Sequence, residues 1–439
     1  MRKHPQHSPA ARPSYSARLL RHGALAAGLL VAVAGCGNGN SSSSSTPTGT
    51  TATSSRAGAS PATSTSTTAS PTGTTSAPPS TSAQPTATAA SCVDRAYDAM
   101  TNSQRVGQLF MTAVTSTGVT AAQMQAITTG KTGSVFLQGH TTAGTTAVKA
   151  VTAKVRSLAS PVKGVSLGMF VSTDQEGGQV QVLNGSGFST IPSAVTQGTW
   201  STSTLQSSAA TWARQLAAAG VDMNLAPVAD TVPANQVTVN APIGKLDREY
   251  GTTPSTVASH STAFLRGMKQ GGVVPAIKHF PGLGRASGNT DFTANVTDSV
   301  TTATDPYLQP FKAGIQAGTP FVMVSSAIYT RIDSHNPAAF SSAVIRTLLR
   351  GKLGFKGAVI SDDLGNAAAV ANRTPAQRAV DFITAGGDIV LTVRTSDISP
   401  MTSAVLSRMS SNSAFRSDVA ASVRRVLTAK QNAGVLTCG

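Results

Sequence analysis

The chain has 439 residues, a formal net charge of +16, three cysteines and few aromatic residues. Its basic residues are scattered, with no run of five and no aromatic interleaving, so the charge does not read as nucleic-acid binding. No metal-ligand cluster, phosphate loop or dinucleotide fingerprint occurs, and neither a metal nor a cofactor is expected.

The N-terminus is basic (Arg2, Lys3, Arg12, Arg18, Arg21) and runs into an apolar segment at 24–33. About ten residues is too short to span a bilayer but suits the core of a signal peptide. The segment ends in Val33-Ala34-Gly35-Cys36, which resembles a bacterial lipobox. Residues 1–35 are therefore expected to be a lipoprotein signal peptide, with Cys36 lipidated. The mature chain is then expected to sit on the outer face of the plasma membrane. Residues 36–91 are almost wholly Ser, Thr, Pro, Ala and Gly, and the first acidic residue of the chain is Asp94. Such a stretch buries too little apolar surface to offset its chain entropy and reads as a disordered linker.

Residues 92–439 form the folded part, a length usual for an α/β barrel. Without the five leader cations and Arg56, 28 of the 34 Lys and Arg face 18 acids, about +10. That surplus suits an anionic surface such as membrane or cell-wall polymer, or simply a solvated basic surface. Cys92 and Cys438 bracket the folded part and, outside the cytosol, are expected to pair.

Apolar spacing over 93–110 (Ala96, Met100, Val106, Leu109, Phe110) predicts an opening helix. Seven short apolar runs follow, at 133–137, 168–171, 221–226, 273–277, 320–324, 357–360 and 388–391. Helical patterns at 203–219, 253–271, 306–317, 341–352 and 375–385 fill the gaps. A last helix, 415–433, carries Val419, Val423, Val426 and Leu427 on one face. Strands alternating with helices argue for parallel βαβ units and a TIM-like (β/α)8 barrel. Seven strands are clear and an eighth is not obvious, so the barrel is expected to be irregular.

In this architecture chemistry sits at the C-terminal strand ends. Those ends read Thr173-Asp174-Gln175-Glu176-Gly177-Gly178, Asn224 to Asp230, Lys278-His279-Phe280-Pro281-Gly282, and Ser361-Asp362-Asp363-Leu364. Carboxylates aimed into a polar pocket suit hydroxyl recognition and glycosidase chemistry.

These segments, with Ile243-Gly244 and Arg248-Glu249-Tyr250-Gly251, resemble family-3 glycoside hydrolases. They are most similar to the single-domain bacterial β-N-acetylglucosaminidases of that family. The resemblance implies Asp362 as nucleophile and Asp174, Arg248, Lys278 and His279 as sugar-binding residues, with Asp230 counted among them. Those relatives use an Asp and His on the loop after KHFPG as general acid/base. Here Asp291 matches the Asp, but Thr293 stands where the His should be; Leu283 and Ser326 replace two further histidines and Gln179 an arginine. An alcohol is too weak an acid to replace imidazole. Asp291 is therefore expected to act as acid/base when a mobile loop closes. The expected activity is retaining hydrolysis of terminal β-linked sugars, N-acetylglucosamine of cell-wall fragments above all, by a monomer with a carbohydrate substrate. A sugar-binding lipoprotein without turnover and a β-glucosidase are the alternatives.

Overall fold

The computed structural model describes residues 90–439. The signal peptide, Cys36 and the linker up to residue 89 lie outside the described residues. Eight parallel strands form the barrel: β1 (Phe110–Thr115), β2 (Ser134–Gln138), β3 (Phe170–Thr173), β4 (Met223–Asn224), β5 (Val274–Phe280), β6 (Phe321–Val324), β7 (Ala358–Ser361) and β8 (Val390–Thr392). Their order is β7-β6-β5-β4-β3-β2-β1-β8. A bridge between Ile360 and Ile389 brings β7 against β8. The Leu364 amide also donates to the Leu391 carbonyl at 2.9 Å, which leaves the ring nearly closed.

The eighth strand is β1, and it corrects the single helix expected at 93–110. That stretch holds two helices, α1 (Cys92–Ala99) and α2 (Asn102–Gly107), followed by the strand. The break has a local cause. Met100 is extended (φ −81°, ψ 140°), and Thr101 caps α2 through a reciprocal capping box with Gln104. Each side chain satisfies an amide that the helix start leaves unpaired. The apolar spacing from Val106 to Phe110 thus straddles a helix end and a strand start.

Helices α3 (Ala121–Gly130), α4 (Gly144–Arg156), α5 (Thr202–Ala218), α6 (Pro254–Gln270), α7 (Gln309–Gln316), a π-helix (Ala343–Lys352), α8 (Pro375–Ala385), α9 (Ile398–Ser411) and α10 (Ser413–Asn432) complete the layer. Strand β2 shows the alternation that organises the core. Val135 and Leu137 join Val148, Val151 and Val155 of α4 in one apolar cluster. Phe136 and Gln138 instead line the barrel pocket.

The N-terminal end of the barrel is plugged. Phe170 and Phe321 meet edge to face at 5.7 Å. Lys430 of α10 is fully buried and donates to Gln108 Oε1 (2.6 Å), the Gly133 carbonyl (2.7 Å) and the Gly168 carbonyl (2.9 Å). Among the described residues, the pocket inside the barrel opens at the other end. The two ends of the described residues meet beside this floor: Cys92 and Cys438 are disulfide-bonded with Cα atoms 5.7 Å apart, and Arg424 pairs with Asp94.

Candidate active site

A cavity of about 400 Å³ opens at the C-terminal strand ends, lined among others by Asp174, Arg248, Lys278, His279, Asp291 and Asp362. That size falls in the range of small-molecule sites. Phe136, Leu225, Met323 and Leu391 form its apolar wall.

Strand β5 reaches the pocket through an irregularity. Ala276 and Ile277 pair with Phe321 and Val322, but Phe280 pairs with Val324. One extra residue is thus accommodated at Lys278-His279, where the peptide bond is cis. Bulges commonly re-aim side chains next to active sites. Lys278 and His279 both line the cavity although they are adjacent in sequence.

Beneath them lies a buried ion network. Glu176 receives Arg248 through Nε (2.8 Å) and Nη2 (2.7 Å). It also receives Lys278 Nζ at 2.5 Å. Lys278 Nζ reaches Asp174 Oδ1 at 2.6 Å. Burial alone would raise the Glu176 carboxyl, but the charges of Arg248 and Lys278 outweigh it and hold the group at about 2. Lys278 behaves likewise: burial opposes its charge, yet Asp174 and Glu176 raise its pKa above the ordinary value. Lys278 is therefore held in the charged state between Asp174 and Glu176, beside a guanidinium that is charged in any case.

Asp230 is not on the pocket wall, contrary to its expected sugar contact. It is fully buried. Its Oδ2 takes the His279 ring Nδ1 at 2.7 Å, and its Oδ1 takes the amides of His279 (3.1 Å) and Leu283 (2.8 Å). A carboxylate only accepts, so His279 Nδ1 carries the proton and Nε2 is left on the other edge of the ring. Asp230 positions His279; it has no surface with which to touch a sugar.

Asp362 and Asp363 follow β7. The Asp362 amide donates to the Val324 carbonyl at 3.0 Å, which fixes the turn. Asp363 accepts the amides of Gly365 (2.8 Å), Asn366 (2.9 Å) and Val393 (3.0 Å) and so ties the β7 and β8 loops together. Burial pushes its carboxyl up to about 6 against those donors, and the charge of Asp291 adds to the rise.

The loop after β5 is docked. Its tip rests on the β7 loop, with the amides of Ala368 and Ala369 donating to the carbonyls of Asp291 (3.2 Å) and Thr290 (3.0 Å). Asn289 Oδ1 takes the Asp291 amide at 2.9 Å. Half-buried Asp291 thus shares the pocket with Asp362. Thr293 is exposed and outside the lining. Leu283 fills its position as an apolar wall residue, and Ser326 Oγ is buried with no hydrogen-bond partner among the described residues.

Two residues were not anticipated. Glu176 stands inside the motif that identified Asp174, but its role as the shared counter-ion appears only once Arg248 and Lys278 are adjacent. Arg394, after β8, lines the cavity and has no sequence signal of its own. Among the described residues no cluster of His, Cys, Asp and Glu could hold a metal ion.

The family model for the glycosyl hydrolase family 3 N-terminal domain matches residues 101–429. The β-hexosaminidase of Stenotrophomonas maltophilia (strain K279a) is 35% identical over 237 residues, covering 50% of this chain and 66% of that protein. That of Xylella fastidiosa (strain 9a5c) is 33% identical over 258 residues, covering 56% and 73%. The chain thus spans about two thirds of the length of these curated relatives. Among solved structures, the β-N-acetylhexosaminidase from Beutenbergia cavernae DSM 12333 is 46% identical with a TM-score of 0.74, covering 76% of this chain and 99% of that one. A family 3 β-N-acetylglucosaminidase from Paenibacillus sp. str. FPU-7 is 28% identical with a TM-score of 0.67, covering 77% and 63%.

Proposed function

The chain belongs to glycosyl hydrolase family 3, and from that premise we propose that it is a retaining β-N-acetylhexosaminidase that removes terminal β-linked N-acetylglucosamine. The observation that carries this reading is one pocket whose lining brings half-buried Asp362 and Asp291, with Asp174 and Asp363, together with Arg248 and Lys278 of the buried Glu176 network. The sugar itself is proposed from the activities named for the relatives.

Asp174, Arg248, Lys278 and His279 hold the sugar hydroxyls. Asp362 attacks the anomeric carbon while the glycosidic oxygen takes a proton from Asp291 and leaves. Water then attacks the glycosyl–enzyme ester, Asp291 accepts its proton, and Asp362 is freed. The apolar wall keeps bulk water from the ester and strengthens the charges around it. The backbone bonds that dock the loop tip on the β7 loop support an acid that acts without a large closure.

A fluorosugar inactivator tests the assignment. An adduct located on Asp362 by mass spectrometry supports it; an adduct on another residue removes Asp362 as nucleophile. A second reading, a sugar-binding protein without turnover, is favoured by the exposed Thr293 at the position of the missing histidine. It predicts no adduct alongside measurable sugar binding. Aryl β-glucosides and β-N-acetylglucosaminides compared side by side separate the two sugars.

The leader supports a lipid anchor at Cys36 and a cell-wall substrate. Cys36→Ser is then expected to abolish metabolic labelling with palmitate and release the protein to the medium.

A further inference from the structure

The charge of the barrel is unevenly placed. On the connections that run from a strand to the next helix, acids outnumber Lys and Arg, with Asp174, Asp291, Asp333, Asp362 and Asp397 among them. The connections that run from a helix to the next strand lie at the closed, N-terminal end of the barrel. They hold only two acids among the described residues, Asp222 and Asp388. Both are engaged: Asp222 lies 2.7 Å from Arg156, and buried Asp388 receives Arg350 at 2.5 Å and Arg425 at 2.8 Å.

Five lysines at this end have no such partner. Lys131 follows α3, Lys154 is in the last turn of α4, Lys163 precedes β3, Lys352 ends the π-helix and Lys356 precedes β7. All but half-buried Lys131 are exposed, and none of the five ammonium groups has an ion pair or hydrogen bond among the described residues. Lysine at a helix C-terminus is explained by the helix dipole alone. That covers Lys131, Lys154 and Lys352, but not Lys163 and Lys356, which lie beyond the last turn of the preceding helix.

The chain joins the barrel at the same end. Ser166–Leu167, just past Lys163, pairs with Leu436–Thr437, and the adjoining Cys438 is bonded to Cys92. The segment that runs back to Cys36 therefore enters beside these lysines. We propose that the closed end of the barrel is a docking face for an anionic phospholipid surface, so that the pocket opens away from the membrane. A negative surface potential attracts lysines held within a Debye length of the headgroups. It repels the acid-rich open end, which fixes which way the barrel faces. This goes beyond the glycosidase reading and does not depend on turnover; it rests on the lipid-anchor reading only for bringing the membrane within reach.

The test uses the full chain carrying Cys36→Ser, so that no acyl chain holds it to a bilayer. Partition onto vesicles of phosphatidylglycerol and phosphatidylcholine is measured by flotation. Lys131→Gln/Lys163→Gln/Lys356→Gln is compared with a charge-matched control, Lys245→Gln/Lys312→Gln/Arg331→Gln, drawn from exposed residues nearer the open end. The basic leader is common to all three proteins and cancels in the comparison. The partition coefficient is expected to fall about tenfold in the closed-end variant and much less in the control, and the gap is expected to close as salt is raised. Equal losses in the two variants, or no loss in the closed-end one, overturn the docking face. The same variants are titrated with soluble poly(glycerol phosphate). If the closed-end variant loses affinity for this polymer and not for vesicles, the face belongs to an anionic wall polymer and the membrane proposal is overturned. Failure of palmitate labelling at Cys36 would refute the anchor alone, since the vesicle comparison judges the face without it.

Discussion

Two cations buried side by side repel each other unless an anion lies between them, and Arg248 and Lys278 share Glu176 for that purpose. The carboxyl is held at about 2, below its ordinary 4.5, by those two charges against the opposing effect of burial. A depressed carboxyl contributes stability that is present above pH 4.5 and lost as pH falls toward 2. Glu176→Gln keeps the shape but leaves two buried cations with only Asp174. Unfolding by denaturant at pH 7 should show a loss of about 3 kcal/mol, and the variant should lose less further stability than wild type on acidification from pH 4.5 to 2.5. A variant as stable as wild type at pH 7 would mean that the network is not buried as described. The motif residues around this cluster were legible because strand-end carboxylates and Lys-His stand out against apolar runs. Their division of labour was not. Asp230 and Asp174 look alike in sequence, yet only packing decides that one faces the pocket and the other lies behind His279.

At the scale of an element, the loop after β5 is held at both ends. Arg285 anchors its base: Nη2 lies 2.8 Å from Asp305 and 2.7 Å from Thr301 Oγ1, and the guanidinium stacks 4.0 Å from the Tyr307 ring centre. Backbone bonds to Ala368 and Ala369 anchor the tip. If this scaffold holds Asp291 over the glycosidic oxygen, Arg285→Ala should lower kcat for a poor leaving group about tenfold, within the usual range for general acid catalysis. An activated aryl glycoside, which needs little protonation, should lose much less. Arg285→Lys restores charge without the planar stack and should recover part of the loss. Equal losses on both substrates would show that Arg285 does not act through Asp291. Nothing in the stretch from Leu283 to Thr293 announces this docking, because its partners lie 16 (Arg285 to Thr301) to 79 (Thr290 to Ala369) residues away along the chain. Strand β1 escaped for a more local reason. Its residues continue a helix-compatible spacing across the end of α2, and the Thr101–Gln104 capping box that reveals the break is a polar signal inside an apolar pattern.

For the whole molecule, the floor and the pocket are separate problems, and Lys430 allows them to be tested apart. It reaches from α10 under the barrel and supplies donors to three acceptors at the starts of β1, β2 and β3. Burial pushes its amine down from 10.5 to about 7. Between those values the unfolded chain binds more protons than the folded one, so this residue's contribution to stability rises with pH from about 7 to 10.5. Below pH 7 the cost of burying the charge is fully present. Lys430→Met removes that cost but leaves the three acceptors without their donor, each worth about 1 kcal/mol. The variant should therefore fall further behind wild type in unfolding free energy at pH 9.5 than at pH 7, measured by denaturant titration at both. A difference that stays flat across this window would show that the amine does not change protonation between folded and unfolded states there. Because the floor lies at the end of the barrel opposite Asp362, kcat of the folded variant should match wild type at temperatures well below its melting point. A loss of kcat there would mean that strain at the strand starts is transmitted to the strand ends, and the barrel would have to be treated as one cooperative unit.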